Sequence, residues 1–469
     1  MTLVAILFAL ASLVWMIPLL RSGRYIQLAT LVLALGTFFG PDFYAIDGPI
    51  QISIDRVLFF VLVALAFVGL RLEMTKLPEF NRLDWLVIAM VAWFGWSAMT
   101  GGSNPPGTPP MARWIFYIAM PAAMYFIPRM VSIKTCDVRW ILTGSIVMGI
   151  YLSVTAVFEI KGLHGFVFPR YIVNPDNWEF FGRGRGPLMN PSGNGILISM
   201  GLTAAAIGLI KSRRERRLFY SVVVACLLVG VYATLTRSAW MGGIAAIGIV
   251  GFVHSPRWVR VMSLGVAVLI VGIASTSLKD KIFRLKRDEN LSAADSEKSV
   301  KLRPLLAIVA WEMFKDRPIT GHGYGHYEIK HRTYHDDRGY KMPLGQARPY
   351  TQHNVFLSIL VDTGIIGLVL FSAWFLSTAA IAWKLSRDGS ACQESRSVGL
   401  VMMGTMLAYL CNGMFQDATI IPMVHMFLFF GVGVTVTTMQ SGVATDSAGQ
   451  RVANHRRQSG TVAADPARA

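Results

Sequence analysis

The sequence is poor in charge. Only 15% of its 469 residues are Asp, Glu, Lys or Arg, whereas an ordinary soluble domain carries about 25%. Hydrophobic residues make up 54% of the chain, and apolar runs long enough to cross a hydrocarbon core recur from end to end. The shortage of charge argues against a soluble globular domain and predicts an all-α integral membrane protein.

Cysteine is also scarce. The four cysteines lie in predicted spans or cytoplasmic loops, and none shares zinc-like spacing with histidine: Cys136, Cys226, Cys392 and Cys411. We therefore expect neither a structural disulfide nor a metal site. The first apolar run begins at Thr2, without a basic segment before it or an Ala-x-Ala site after it, so no cleavable signal is expected.

Basic residues exceed acidic ones, and the net charge is +17. In a membrane protein such an excess is explained by cytoplasmic loops that face anionic lipid, so we do not expect nucleic-acid binding. Lys and Arg concentrate in alternate short loops, most strongly at 211–217. The positive-inside rule places these loops in the cytoplasm and the intervening ones outside.

The apolar runs predict about 12–13 transmembrane helices. The segments are 3–20, 26–40, 57–70, 85–100, 113–128, 140–158, 193–210, 218–235, 239–254, 260–276, 353–383, 397–415 and 420–438. The predicted organisation is thus transmembrane helices with short loops over 1–276, a long external loop over 277–352, C-terminal transmembrane helices over 353–438, and a disordered cytoplasmic tail over 439–469.

The long loop has internal order. Residues 303–314 predict a short amphipathic helix whose apolar face, Leu305, Ile308, Val309 and Met313, suits a helix lying on the bilayer. A glycine-rich turn, Pro318 to Gly325, ends this helix. The turn follows no strand and opens no dinucleotide fold, so no cofactor is expected there.

His353 and Asn354 stand at the mouth of the long apolar helix that follows this loop. A titratable ring at a membrane surface is suited to chemistry on a lipid-linked substrate. The simpler interpretation is that His353 caps the helix and anchors it at the headgroups.

Other polar residues gather on the same predicted external side. Arg237 lies between two spans with almost no loop, and its planar guanidinium group suits phosphate oxygens. The simpler interpretation is an arginine at a helix end that extends to the lipid headgroups. Arg183 and Arg185 lie among glycines that leave an anion close access, although a flexible connector has the same composition. Asp417, in the last external turn, suits sugar hydroxyls or the orientation of a base, or serves the turn alone.

Together these residues suit a pyrophosphate-bearing substrate next to the bilayer. The arginines would hold the pyrophosphate and stabilise it as it leaves. A neutral His353 would accept the proton of an attacking sugar hydroxyl.

The order and spacing of several short motifs resemble the O-antigen ligase and O-antigen polymerase superfamily of bacterial envelope proteins. The motifs are Leu235-Thr236-Arg237-Ser238-Ala239-Trp240, Ser299-Val300-Lys301-Leu302-Arg303, Trp311 to Gly323, His353-Asn354-Val355-Phe356-Leu357 and Gly364-Ile365-Ile366-Gly367-Leu368.

The resemblance implies a metal-independent glycosyltransferase of the GT-C type in the bacterial inner membrane, with its active site facing the periplasm. Its donor would be an undecaprenyl-pyrophosphate-linked glycan, and its acceptor another glycan, lipid A-core or a protein side chain. By the same resemblance, Arg237 and one arginine of Arg183 and Arg185 would contact the pyrophosphate, and His353 would be the base or would position the acceptor. We therefore predict His353 and Arg237 as catalytic residues. The predicted substrate-binding residues are Arg183, Arg185, Arg303, His322, Asn354 and Asp417.

Three alternatives stay open at this point. One is a protein O-oligosaccharyltransferase, and another is a flippase for the same lipid-linked glycan. The third is a conventional GT-C transferase that uses acidic residues of an external loop: Asp42, Asp47 and Asp55.

Overall fold

The computed structural model describes residues 23–46, 51–102, 108–262, 293–336 and 339–444. Within these ranges the chain is helical and forms no β-strand, which confirms the all-α prediction. Six described helices are long and apolar enough to cross a membrane. The predicted spans 3–20 and most of 260–276, the tail beyond 444, residues 277–292 of the long loop, and Asp47 lie outside the described residues.

The helices follow the predicted spans closely. They are α1 (Tyr25–Phe39), α2 (Ile54–Arg71), α3 (Arg82–Thr100), α4 (Pro110–Trp114), α5 (Met120–Arg129), α6 (Thr135–Ile160), α7 (Pro191–Lys211), α8 (Arg214–Ala233), α9 (Arg237–His254), α10 (Ala293–Asp316), α11 (Tyr327–Lys330), α12 (Val355–Arg387), α13 (Gln393–Gly413) and α14 (Pro422–Ser441). A π-helical turn, Ile115–Ala119, joins α4 to α5, so the predicted span 113–128 is three consecutive pieces. The last helix continues to Ser441, beyond its predicted end at 438.

Two helices form the centre of the bundle. Helix α7 is buried along most of its length and packs against α6, α8, α9 and α13. Helix α14 is buried on all sides and packs mainly against α5. A helix that is apolar all round belongs in the interior of a bundle, and the serine and threonine hydroxyls of α7 donate to carbonyls one turn earlier, as Ser199 does to Gly195 at 2.7 Å.

An ion pair buried among helix ends also fixes the bundle. Arg129, at the end of α5, donates to both carboxylate oxygens of Asp84 in the first turn of α3, at 3.0 and 2.9 Å. Its guanidinium also donates to Gln440 near the end of α14 at 2.5 Å. The pair is almost fully buried, so each charge depends on the other for compensation.

Helix α12 is broken at Gly364, which has φ 68° and ψ −168°. The segment 318–325 passes through the break. The backbone N–H groups of His322 and Gly323 donate to the carbonyls of Val361 and Asp362, each at 2.9 Å, and the N–H of Ile365 donates to Pro318 at 2.8 Å. These bonds satisfy backbone groups that the broken helix leaves without partners.

Helix α10 corrects one expectation. The predicted amphipathic segment exists within this longer helix, but its apolar face does not lie on the bilayer. Leu305 packs with Leu344 and Ala347 of the long loop, while Val309 and Met313 pack with Val361 of α12 and with Tyr327 and Tyr334. The face was apolar because protein covers it.

Candidate active site

His353 lies immediately before α12 and adopts a left-handed backbone conformation, with φ 49°. Asn354 is the N-cap of α12, because its Oδ1 accepts from the N–H of Leu357 at 3.0 Å. Its Nδ2 donates to the carbonyl of Met414 at 3.1 Å. Both ends of the Asn354 amide are therefore used to cap the helix and to tie it to α13. A non-glycine residue with positive φ is uncommon and costs about 1–3 kcal/mol, which is a frequent feature of functional sites.

Arg303 of α10 supplies a cation to this region. Its guanidinium carbon lies 4.9 Å from the centroid of the Phe415 ring. Burial lowers the pKa of the half-buried His353, and the positive charge of Arg303 lowers that pKa further. The imidazole is accordingly neutral at neutral pH and able to accept a proton.

The turn after α13 brings Asp417 next to α12. Its Oδ2 accepts from the Ser358 hydroxyl at 2.7 Å, and its Oδ1 accepts from the N–H and hydroxyl of Thr419, at 3.0 and 2.5 Å. Burial raises the pKa of the Asp417 carboxyl, and the hydrogen bonds from Thr419 and Ser358 oppose that rise. Asp417 is thus a buried acceptor whose hydrogen-bond partners hold it in one orientation.

A cavity of about 200 Å³ opens between Asp417 and the segment 318–325, which passes through the break in α12. Its wall includes Gln352, the residue before His353. Its polar lining includes Arg113, Tyr117, Tyr324, Gln352, Asp362 and Asp417. Asp362 Oδ2 accepts from the N–H of Gly325 at 2.9 Å. Arg113 pairs with Glu328, also in the wall, at 3.1 Å.

Three buried polar atoms of the cavity wall make no hydrogen bond within the part of the chain that the structure describes. They are Asp362 Oδ1, Gln352 Nε2 and the Tyr327 hydroxyl. These atoms belong to residues that line the cavity, although each atom is itself covered by neighbouring protein atoms.

Arg237 is the first residue of α9 and is half-buried. It follows Leu235, which has φ 46° in the tight turn from α8. A Cβ at Gly242 would lie 3.1 Å from Cα of Ala408 in α13. Because Gly242 lies one and a half turns further along α9, Arg237 stands near the end of α13 and the turn that follows it. The predicted catalytic arginine and histidine therefore belong to the same end of the bundle.

Arg185 does not have the expected access to phosphate. Its guanidinium is fully buried and donates to the carbonyls of Ile172, Asn174, Asn177 and Glu179. These contacts use its five N–H groups, and the N–H of Arg185 itself donates to Glu159 at 3.2 Å. The arginine thus organises the loop between α6 and α7, and in this conformation no donor is left for a substrate.

Arg183 occupies the same loop but is half-buried, with its guanidinium carbon 5.7 Å from the centroid of the Phe180 ring. The loop itself reaches the site, because the hydroxyl of Ser192, which follows it, donates to Gln416 at 2.5 Å. Arg183 therefore remains a candidate for substrate binding.

His322 is buried, and its Nε2 lies 2.8 Å from the carbonyl of Met313. Burial lowers the pKa of the ring, so the neutral imidazole donates this bond. The ring packs edge-on against Tyr334, with centroids 5.7 Å apart. These contacts indicate that His322 fastens the glycine-rich turn to α10. They favour this structural role over the predicted contact with substrate.

The loop histidines His331 and His335 form a buried pair, with Nδ1 of the first 2.7 Å from Nε2 of the second. His335 Nδ1 lies 3.0 Å from the carbonyl of Leu344 and donates to it. Three of the four ring nitrogens thus have partners within the protein. No set of His, Cys, Asp or Glu with the geometry of a metal site occurs among the described residues.

Sequence reasoning missed the cavity. Arg113 lies in the short helix before the π-helical turn, and Tyr324 lies in the glycine-rich turn, so neither stands near His353 in the sequence. The available signal was Asp362, since a carboxylate within an apolar span is a candidate functional group by default.

The family model described as O-antigen ligase matches residues 222–372. The matched segment includes Arg237, Arg303, His322, His353 and Asn354, begins after Arg183 and Arg185, and ends before Asp417. The resemblance to O-antigen ligases and polymerases is confirmed by this match. No curated protein matches the chain.

Proposed function

We propose that this chain is a glycan ligase or polymerase of the bacterial inner membrane. The proposal starts from the match of residues 222–372 to the O-antigen ligase model and from the helices that are long and apolar enough to cross a membrane. It would take glycan from undecaprenyl pyrophosphate and pass it to an acceptor hydroxyl on the periplasmic face. The observation that carries the proposal is the position of His353, which is half-buried just before α12 with a left-handed backbone and directly follows Gln352 in the wall of a polar cavity. The cation of Arg303 is close enough to lower the pKa of the His353 ring.

In the proposed reaction the acceptor hydroxyl attacks the anomeric carbon of the donor sugar. Its proton passes to His353, the new glycosidic bond forms, and the bond between the anomeric carbon and the pyrophosphate oxygen breaks. Undecaprenyl pyrophosphate leaves with both electrons of that bond. Arg237 and Arg303, with Arg183 at the edge, would stabilise the negative charge on the leaving group. No metal or other cofactor is assigned to the reaction.

The cavity between Asp362 and Asp417 is suited to the acceptor. Sugar hydroxyls are both donors and acceptors, so they can pair with polar side chains of the lining, among them Arg113, Asp362 and Asp417. Substrate bound there would lie beside Gln352, the neighbour of His353. We assign the cavity to the acceptor and the arginines to the donor.

An assay of the purified chain in detergent tests the class of function. The chain is mixed with undecaprenyl-pyrophosphate-linked glycan and separately with lipid A-core, a second lipid-linked glycan or a peptide. Product on lipid A-core indicates a ligase, and a lengthened glycan indicates a polymerase. Product on the peptide alone indicates an oligosaccharyltransferase. Absence of any product, together with movement of the glycan across liposomes, would replace the proposal with a flippase.

Asp362→Asn tests the assignment of the cavity. Asparagine keeps an oxygen for the N–H of Gly325 but replaces the second carboxyl oxygen with an amide nitrogen, which cannot accept. We expect KM for the acceptor to rise by roughly tenfold, the loss of one hydrogen bond, while KM for the donor changes little. An increase in donor KM alone would contradict the assignment.

A further inference from the structure

A groove of about 540 Å³ lies at the end of the bundle opposite His353. Helix α7 runs from the candidate active site at Ser192 to Lys211 at the groove, and α13 runs from Gln393 at the groove to Gly413 at the site. Helices of about 20 residues separate the two ends by about 30 Å. The groove is therefore independent of the candidate active site.

Four cations line the groove, namely Arg139, Lys211, Arg213 and Arg216, and two carboxylates, Glu215 and Glu394, accompany them. Within the described residues only one close pair links the two sets, Arg139 and Glu394 at 3.9 Å, and the Arg139 side chain is 72% exposed. The positive charge of the lining thus exceeds its negative charge. Helices α6, α8 and α13 all begin at this end, and their N-termini add partial positive charge.

Lys211 is held at the inner edge of the groove by neutral groups. Its Nζ donates to the Ser397 hydroxyl at 2.9 Å and to the carbonyl of Gln393 at 3.3 Å. These contacts fix the position of the ammonium without neutralising its charge. An anion entering the groove would meet a positioned cation there.

The deeper wall of the groove is apolar. Leu142 and Ile146 of α6 face Ala204 and Ile207 of α7 below the ring of cations. A charged rim above an apolar wall at the ends of membrane-spanning helices matches a phospholipid, whose headgroup is anionic and whose chain is hydrocarbon. A small soluble anion would use the rim but not the wall.

We propose that this groove binds an anionic phospholipid of the surrounding leaflet. Its phosphate would contact Lys211, Arg213 and Arg216, and one acyl chain would lie along the wall formed by α6 and α7. A bound lipid would bridge α6, α7, α8 and α13, so it would stabilise the bundle as any ligand of the native state does. The proposal does not depend on the chemistry assigned to His353.

The test uses the purified full-length chain, stripped of lipid in detergent, with phosphatidylglycerol as the probe. Phosphatidylcholine and inorganic phosphate serve as comparison ligands, and binding is followed by native mass spectrometry and by the shift in Tm. We expect phosphatidylglycerol to bind and to raise Tm, while the other two ligands do neither. Equal stabilisation by inorganic phosphate, or no stabilisation by phosphatidylglycerol, would overturn the proposal.

Neighbouring arginines provide a matched pair of variants. Arg213→Gln with Arg216→Gln removes two groove cations, whereas Arg214→Gln with Arg217→Gln removes the same charge from exposed residues of α8 outside the groove lining. The first variant should weaken phosphatidylglycerol binding by about thirtyfold, since two basic residues lose their contact with an anionic headgroup. The second should bind nearly as wild type does. Equal losses would mean general attraction to charge and would contradict a specific site.

Thr143→Trp tests the apolar half without changing charge. Thr143 lines the groove from α6 and is exposed, so an indole there occupies the space assigned to the acyl chain. Weaker lipid binding at an unchanged Tm in phosphatidylcholine supports the proposal. Unchanged lipid binding would show that no chain enters the groove.

Discussion

The break in α12 depends on Gly364, and replacing this residue with alanine tests that dependence. An alanine Cβ at this position would lie 2.2 Å from the carbonyl oxygen of Ile319 and 2.4 Å from its carbonyl carbon, whereas carbon and oxygen normally approach to about 3.3 Å. Both contacted atoms belong to the backbone, so no side-chain rotation relieves the overlap. Gly321, in the segment that passes through the break, lies on the other side of the same close contact. A Cβ at Gly321 would lie 2.5 Å from the backbone nitrogen of Gly364.

Two costs combine in Gly364→Ala. The conformation at φ 68° and ψ −168° is essentially restricted to glycine, which costs a substituted residue about 1–3 kcal/mol. Moving the segment at Ile319 adds an overpacking cost of about 1–3 kcal/mol. We expect the free energy of unfolding to fall by about 4 kcal/mol in total and Tm to fall by on the order of 10 °C.

The assay is thermal unfolding in detergent, followed by tryptophan fluorescence, with Gly345→Ala as the control. Gly345 lies in the same long loop, has no left-handed φ, and would place its Cβ with nothing within 4 Å. The control should change stability by less than about 1 kcal/mol. Equal Tm values for the two variants would refute the account of the break.

Three further predictions concern charged residues. Arg129→Leu should destabilise the protein by about 3–5 kcal/mol in the same unfolding assay, because it leaves the carboxylate of Asp84 buried without its partner; a change below about 1 kcal/mol would contradict this. Arg237→Lys should lower kcat for glycan transfer by on the order of a hundredfold, because an ammonium cannot make a bidentate contact to phosphate; near-normal turnover would indicate an arginine that only reaches the headgroups. Arg303→Gln should move the acid limb of the kcat/KM profile to higher pH. The positive charge of Arg303 lowers the pKa of His353, so its removal lets the ring protonate, and stop acting as a base, nearer the ordinary value of about 6.5. An unmoved limb would separate Arg303 from His353.

The sequence was sufficient for the membrane architecture because length and hydropathy alone decide whether a helix can span a bilayer. Arg237 and His353 were also predicted on the same side, since the alternation of basic loops orders the helix ends. The family match over 222–372 covers both residues, and their roles stay predictions.

Other features depended on contacts between distant segments, which no local pattern encodes. The apolar run over α12 reads as one helix because Gly364 looks like any helical glycine until residues 318–325 are placed against it. The glycines around Arg185 are typical of an anion-binding loop. In the structure, however, its guanidinium N–H groups donate to backbone carbonyls of residues 172–179. Helix α10 was assigned to the bilayer because amphipathicity shows that a face is covered without showing what covers it.

The central claim is that His353 is the base for glycan transfer, and the rate of a single turnover tests it most directly. Purified wild type, His353→Ala and His254→Ala are compared with saturating lipid-linked glycan and acceptor, after equal Tm values show that all three are folded. His254 is an exposed histidine at the far end of α9, so it controls for the loss of an imidazole. The account predicts that His353→Ala loses at least about a hundredfold in rate while His254→Ala keeps the wild-type rate. A His353→Ala rate equal to that of wild type would contradict the claim.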